Sequence, residues 1–123
     1  MLSDQRLIIV EEEFLIAMDI QRIVESANAR QPLLARNFKE VAALGDDLAT
    51  FDLTIMTPPR DDPTDHEIAA RMVEAGLAIV VCSAAMGTLA GTVLEGAETI
   101  TKPFADADLL AACRRAIERR KRV

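Results

Sequence analysis

Leu7-Ile8-Ile9-Val10-Glu11-Glu12-Glu13 passes from an unbroken apolar run to an unbroken acidic one. An apolar run without polar alternation fits a strand covered on both faces, because neither side of it meets water. From Phe14 to Ala27, Leu15, Met18, Ile20, Ile23 and Val24 recur at helical spacing, which predicts a helix with an apolar stripe. Pro32-Leu33-Leu34-Ala35 reads as a second, weaker strand. Asn37, three residues before Glu40, predicts a capped short helix to about Leu44, with Gly45 as its stop.

The same alternation continues to the end of the chain. Phe51-Asp52-Leu53-Thr54-Ile55-Met56-Thr57 predicts a third strand, halted by Pro58-Pro59, and Arg60-Asp61-Asp62-Pro63 a polar loop. Thr64 and Glu67 have capping-box spacing and open a helix ending near Gly76. Leu77-Ala78-Ile79-Val80-Val81-Cys82 is the most strand-like segment of all. Met86 to Leu94 reads as a poor helix, because Gly87, Thr88, Gly91 and Thr92 lower its propensity. Thr99-Ile100-Thr101 is a short strand, after which Asp106 caps a final helix turning Leu109, Leu110, Ala112, Cys113 and Ile117 inward. Five strand–helix repeats imply a doubly wound parallel sheet, with right-handed crossovers and helices on both faces. Ligands of such sheets sit beyond the carboxyl ends of the strands, near the switch point. The residues to inspect are therefore Glu11–Glu13, Thr57–Pro59, Ser83-Ala84 and Lys102-Pro103.

Composition removes several function classes. The chain has 123 residues with 20 Asp+Glu against 14 Lys+Arg, a net charge of −6, four Phe and neither Trp nor Tyr. One domain spanning residues 1–123 accommodates that length. The acid excess argues against a phosphate-backbone partner, and the scarcity of rings against stacking on single strands, so nucleic acid is excluded as a direct ligand. No apolar run is long enough to span a membrane, and Met1-Leu2-Ser3-Asp4-Gln5-Arg6 lacks a signal-peptide layout, so a cytoplasmic protein is expected. Cys82 and Cys113 lack metal-site spacing and read as buried free thiols.

At the four strand ends the sequence resembles the receiver domain of bacterial two-component response regulators, over Arg6 to about Ile117. Ile8-Ile9-Val10-Glu11-Glu12-Glu13 is similar to that family's first strand and acidic pair, Val80-Val81-Cys82-Ser83-Ala84 to its fourth strand, and Thr101-Lys102-Pro103-Phe104 to its fifth. The resemblance implies a flavodoxin-like (βα)5 three-layer sandwich that is not an enzyme, and at 123 residues no output domain is expected beside it. It implies that Glu11 and Glu12 match metal-binding acids, Ser83 the switch hydroxyl beside small Ala84, and Lys102 the phosphate-site lysine. The acceptor position falls on Thr57, where receivers carry the Asp that takes a phosphoryl group.

That position departs from the pattern. Thr57 is neutral and removes a carboxylate from the metal site, so no cofactor is required and Mg²⁺ binding is expected to be weak or lost. Pro58 follows it and has no N–H to hold a phosphoryl oxygen. Thr99 stands where many receivers carry a switch aromatic ring. Glu11–Glu13 by themselves also fit a solvated loop at a helix N-terminus. If the site is formed, Lys102, lacking its Asp partner, is expected to pair with Glu11 or Glu12. The expectation is a degenerate receiver acting on a protein partner such as a histidine kinase, another response regulator or a second copy, through Thr88 to Leu110. The alternative is phosphorylation at an unconventional acceptor such as Asp61 or Asp62.

Overall fold

The computed structural model describes residues 2–83, 89 and 91–121. Five strands, β1 (Leu7–Val10), β2 (Leu33–Ala35), β3 (Leu53–Met56), β4 (Ala78–Ser83) and β5 (Glu98–Thr101), form one parallel sheet in the order β2-β1-β3-β4-β5. That order places a switch point between β1 and β3, the rule for flavodoxin-like sheets. Helices α1 (Phe14–Ser26) and α4 (Asp106–Lys121) cover one face, and α2 (Phe38–Ala42) and α3 (Pro63–Glu74) the other.

The apolar runs are strands because both of their faces are dry. Leu7, Ile9, Leu53, Ile55, Ala78, Val80 and Cys82 pack towards α1 and α4. Ile8, Val10, Met56, Ile79 and Val81, the alternate residues, pack towards α2 and α3. Thr54, paired with Ile8 and Ile79, is fully buried in the central strand and its Oγ1 has no hydrogen-bond partner. Among the described residues no helix is long and apolar enough to cross a membrane.

Several local expectations need correction. Helix α3 is capped by Asp62, whose Oδ1 accepts from the Thr64 N–H at 2.8 Å; Thr64 lies inside the helix, and Pro63 takes the first position because its missing N–H has no helical partner there. Gly45, at φ +53°, ends one helical segment but immediately opens a 3₁₀ turn over Gly45–Thr50 that buries Leu48. In α4 the Leu109 N–H donates to the Ala105 carbonyl, so Asp106 is a first-turn residue. Its carboxylate pairs with Arg22 of α1, which holds it below the usual carboxylate range. Of the helix expected over Met86 to Leu94, residues 86–88 and 90 lie outside the described ones; Gly91 to Leu94 form turns, with Gly91 at φ +79°. In α1 the core face is Ala17, Ile20, Ile23 and Val24, whereas Phe14, Leu15 and Met18 face solvent at 70, 81 and 38% exposure. Periodicity identified that helix, but its stripe is wider than the sheet can cover.

Three arginines of α4 are used internally. Arg115 and Arg119 grip the buried Glu98 at 3.0 and 3.1 Å, and Arg120 binds Asp52 at 3.1 Å. These contacts fasten the last helix to the amino ends of β3 and β5.

Candidate functional site

The parallel ladder continues past the strand ends, and this brings separated residues together. The Glu11 N–H donates to the Ala35 carbonyl, Thr57 N–H to Val10 and Lys102 N–H to Ser83, at 2.9, 3.0 and 2.8 Å. Glu11, Thr57, Ser83 and Lys102 thus form a row across the carboxyl edge of β1, β3, β4 and β5. With Glu12, Pro58 and Cys82 they line a cleft of about 380 Å³. The Lys102–Pro103 peptide bond is cis.

The electrostatic centre of this cleft is one ion pair. Lys102 Nζ lies 2.6 Å from Glu11 Oε1, with the Glu11 side chain only 3% exposed and that of Lys102 18%. The other Glu11 oxygen accepts the Glu13 N–H at 3.0 Å. Both oxygens of the buried carboxylate are therefore engaged, as a buried charge requires. Of the two partners anticipated for Lys102, the structure selects Glu11. Glu12 points outward to Arg60, at 3.6 Å, and both side chains are largely exposed. Cys82 lies beneath the pair. Burial pushes its thiol up to about 12, against a smaller downward pull from Lys102, with Glu11 adding to the rise.

The other anticipated residues are distributed differently. Thr57 and Pro58 line the cleft at the acceptor position, and neither supplies a carboxylate or, at 58, an N–H. Thr99 lies on the far side of β5, in a separate hollow with Ile100, Thr101, Phe104 and Arg115. Ala84 lies outside the described residues, as does Thr88, the start of the expected contact surface. Asp61 and Asp62 are exposed and do not line the cleft, and Asp62 is occupied as the α3 cap.

The carboxylate that α3 does bring to the cleft is Asp65, only 8% exposed, whose Oδ2 accepts the Arg60 N–H at 3.0 Å. Sequence reading passed over it because it placed the cap at Thr64. With Asp62 as cap, Asp65 falls on the third helical position, where an acid reaches back to the preceding turn.

These residues do not fit a resident Mg²⁺. That ion demands octahedral oxygen geometry, whereas Glu11 has given its oxygens to an ammonium and an amide, and position 57 offers no charge. Among the described residues no three His, Cys, Asp or Glu side chains are grouped to hold a metal.

No protein-family model and no curated protein matches the sequence. Solved structures do. A response regulator receiver protein from Sinorhizobium medicae superposes with a TM-score of 0.77 at 17% identity, covering 94% of this chain and 96% of that one. The receiver domain of a signal transduction histidine kinase from Syntrophus aciditrophicus gives 0.74 at 21%, covering 97 and 94%. The response regulator PhyR from Brucella abortus gives 0.77 at 25%, covering 95% of this chain and 49% of PhyR.

Proposed function

We propose that this chain, whose fold is that of response-regulator receiver domains, is a non-enzymatic module of a two-component or phosphorelay pathway. It acts by contact with a protein partner and is not phosphorylated at position 57. The observation that carries this reading is the Lys102–Glu11 pair beside Thr57-Pro58. The cleft keeps the lysine and one acid of a phosphorylation site, but the lysine is held by a buried carboxylate and the nucleophile is gone.

A carboxylate attacks phosphorus directly and gives a labile acyl phosphate. A threonine hydroxyl needs a base to take its proton and gives a stable ester. With both the nucleophile and the amide of residue 58 lost, the positioning and charge stabilisation that drive phosphoryl transfer are missing. The partner is a histidine kinase, another receiver or a second copy. Its contact surface includes the described part of 88–110 and the exposed Phe14, Leu15 and Met18, which border the acidic loop.

The test is incubation with acetyl phosphate and Mg²⁺ followed by intact mass measurement. No labile gain of a phosphoryl group is expected. Such a gain overturns the reading, and repeating the reaction with Asp65→Asn, Asp61→Asn and Asp62→Asn then locates the acceptor.

A further inference from the structure

We propose that the Lys102 ammonium is the resident cation of this cleft, and that it keeps divalent metal ions out. This deepens the reading above and rests on the ion pair rather than on the state of residue 57. Glu11 is a carboxylate only 4% exposed, and such a group needs a cation or a full set of donors to remain charged. Lys102 supplies that charge at 2.6 Å through a short charge-assisted hydrogen bond, while the Glu13 N–H satisfies the second oxygen.

A divalent ion entering here must expel an ammonium whose backbone is pinned to β4 through the Ser83 carbonyl. It must also surrender its own tightly held water, which Mg²⁺ does reluctantly. Glu12 cannot compensate from its present place, because it is turned out to Arg60.

The loss of the carboxylate at 57 does not by itself explain exclusion. One or two carboxylates with several waters suffice to hold Mg²⁺. Glu11 and Glu12 are adjacent in the chain and both line the cleft. With the ammonium removed, Glu11 becomes a buried charge lacking its cation, and an added metal ion is then the available counter-charge. The native cleft is therefore insensitive to divalent cation concentration.

Mn²⁺ is the probe, followed by its free-ion EPR signal, with thermal unfolding at matched ionic strength as the second readout. The native chain is expected to bind no Mn²⁺ at millimolar concentration and to keep its unfolding temperature. Lys102→Met is expected to unfold at lower temperature, to bind Mn²⁺ with a Kd at least about tenfold below that millimolar limit, and to recover stability with Mn²⁺. Adding Glu11→Gln to that variant should abolish the gain. Lys102→Gln serves in place of Lys102→Met if circular dichroism shows the latter unfolded. Tight Mn²⁺ binding by the native chain, or none by a folded Lys102 variant, overturns the proposal. Labile phosphorylation in the mass experiment, with these Mn²⁺ results intact, would overturn only the reading of a module that works without phosphorylation.

Discussion

Removing Lys102 alone should be more damaging than removing Glu11 alone or removing both partners of the pair. In Lys102→Met the Glu11 side chain, 3% exposed, is left charged with only an amide donor. Breaking a buried pair in this way costs about 3–5 kcal/mol. The 18% exposure of Lys102 lets some water reach the vacated position, so a loss of about 3 kcal/mol is expected.

In Glu11→Gln the group left behind is the more exposed ammonium, and the amide oxygen still accepts a hydrogen bond. The expected loss is about 1–2 kcal/mol, the value of a hydrogen bond to a charged group. The double variant removes the desolvated charges together and should lie within about 1 kcal/mol of Glu11→Gln, a coupling of roughly 2–3 kcal/mol. Urea unfolding followed by circular dichroism measures all four proteins. With an m-value of about 1.5 kcal/mol/M, Lys102→Met should lower the midpoint by about 2 M. Additive losses, with coupling under about 0.5 kcal/mol, would refute the claim that the two charges depend on each other.

Four further outcomes follow from Thr54, the two cysteines and positions 57 and 58. Thr54→Val should stabilise the fold by about 1 kcal/mol, because a methyl replaces a buried hydroxyl with no partner; a comparable loss in urea unfolding would mean that the hydroxyl is bonded. Cys82 and Cys113, each pushed up to about 12 by burial, should not react with a thiol reagent at pH 8 in the native protein. Both thiols keep their protons when folded but lose them near the ordinary value when unfolded. Their contribution to stability is therefore complete below that value and lost as pH rises towards about 12. A Cys82→Ala/Cys113→Ala variant should show a shallower alkaline decline, and an unchanged slope would contradict this. Thr57→Asp restores a nucleophile but leaves Pro58 without an N–H, so Thr57→Asp/Pro58→Ala should take phosphate from acetyl phosphate faster; equal rates by phosphate incorporation would contradict that role for the amide.

Much of the fold was legible because a strand buried on both faces leaves a local mark. Leu7–Val10 and Ala78–Cys82 are unbroken apolar runs, and helices cover them on both faces of the sheet. The cleft was legible for a related reason. Its residues stand at the carboxyl ends of the strands, and Glu11 and Ser83 are the first polar ones after unbroken apolar runs, so finding the end of each strand found Glu11, Thr57, Ser83 and Lys102. Helix faces were less so. Leu15 and Met18 share the helical period of Ile20 and Ile23 yet face solvent, since periodicity does not say how wide a stripe the sheet will cover. Cap positions shifted as well, and moving the α3 cap from Thr64 to Asp62 brought Asp65 to the cleft.

The sequence by itself determined the alternation of elements, the parallel sheet that the alternation requires, and the absence of a carboxylate at 57 and of an amide proton at 58. These depend on neighbours a few residues apart or on the identity of one side chain. Only the tertiary structure decided which acid holds Lys102, which arginines hold Glu98 and which carboxylate α3 contributes. Glu11 and Lys102 are 91 residues apart, and they meet because the parallel sheet brings the carboxyl ends of β1 and β5 to the same end, where the long Lys102 side chain reaches Glu11. Burial then distinguishes Glu11 from Glu12. The carboxylate drawn inward must take the nearest cation, while its neighbour remains in water with Arg60.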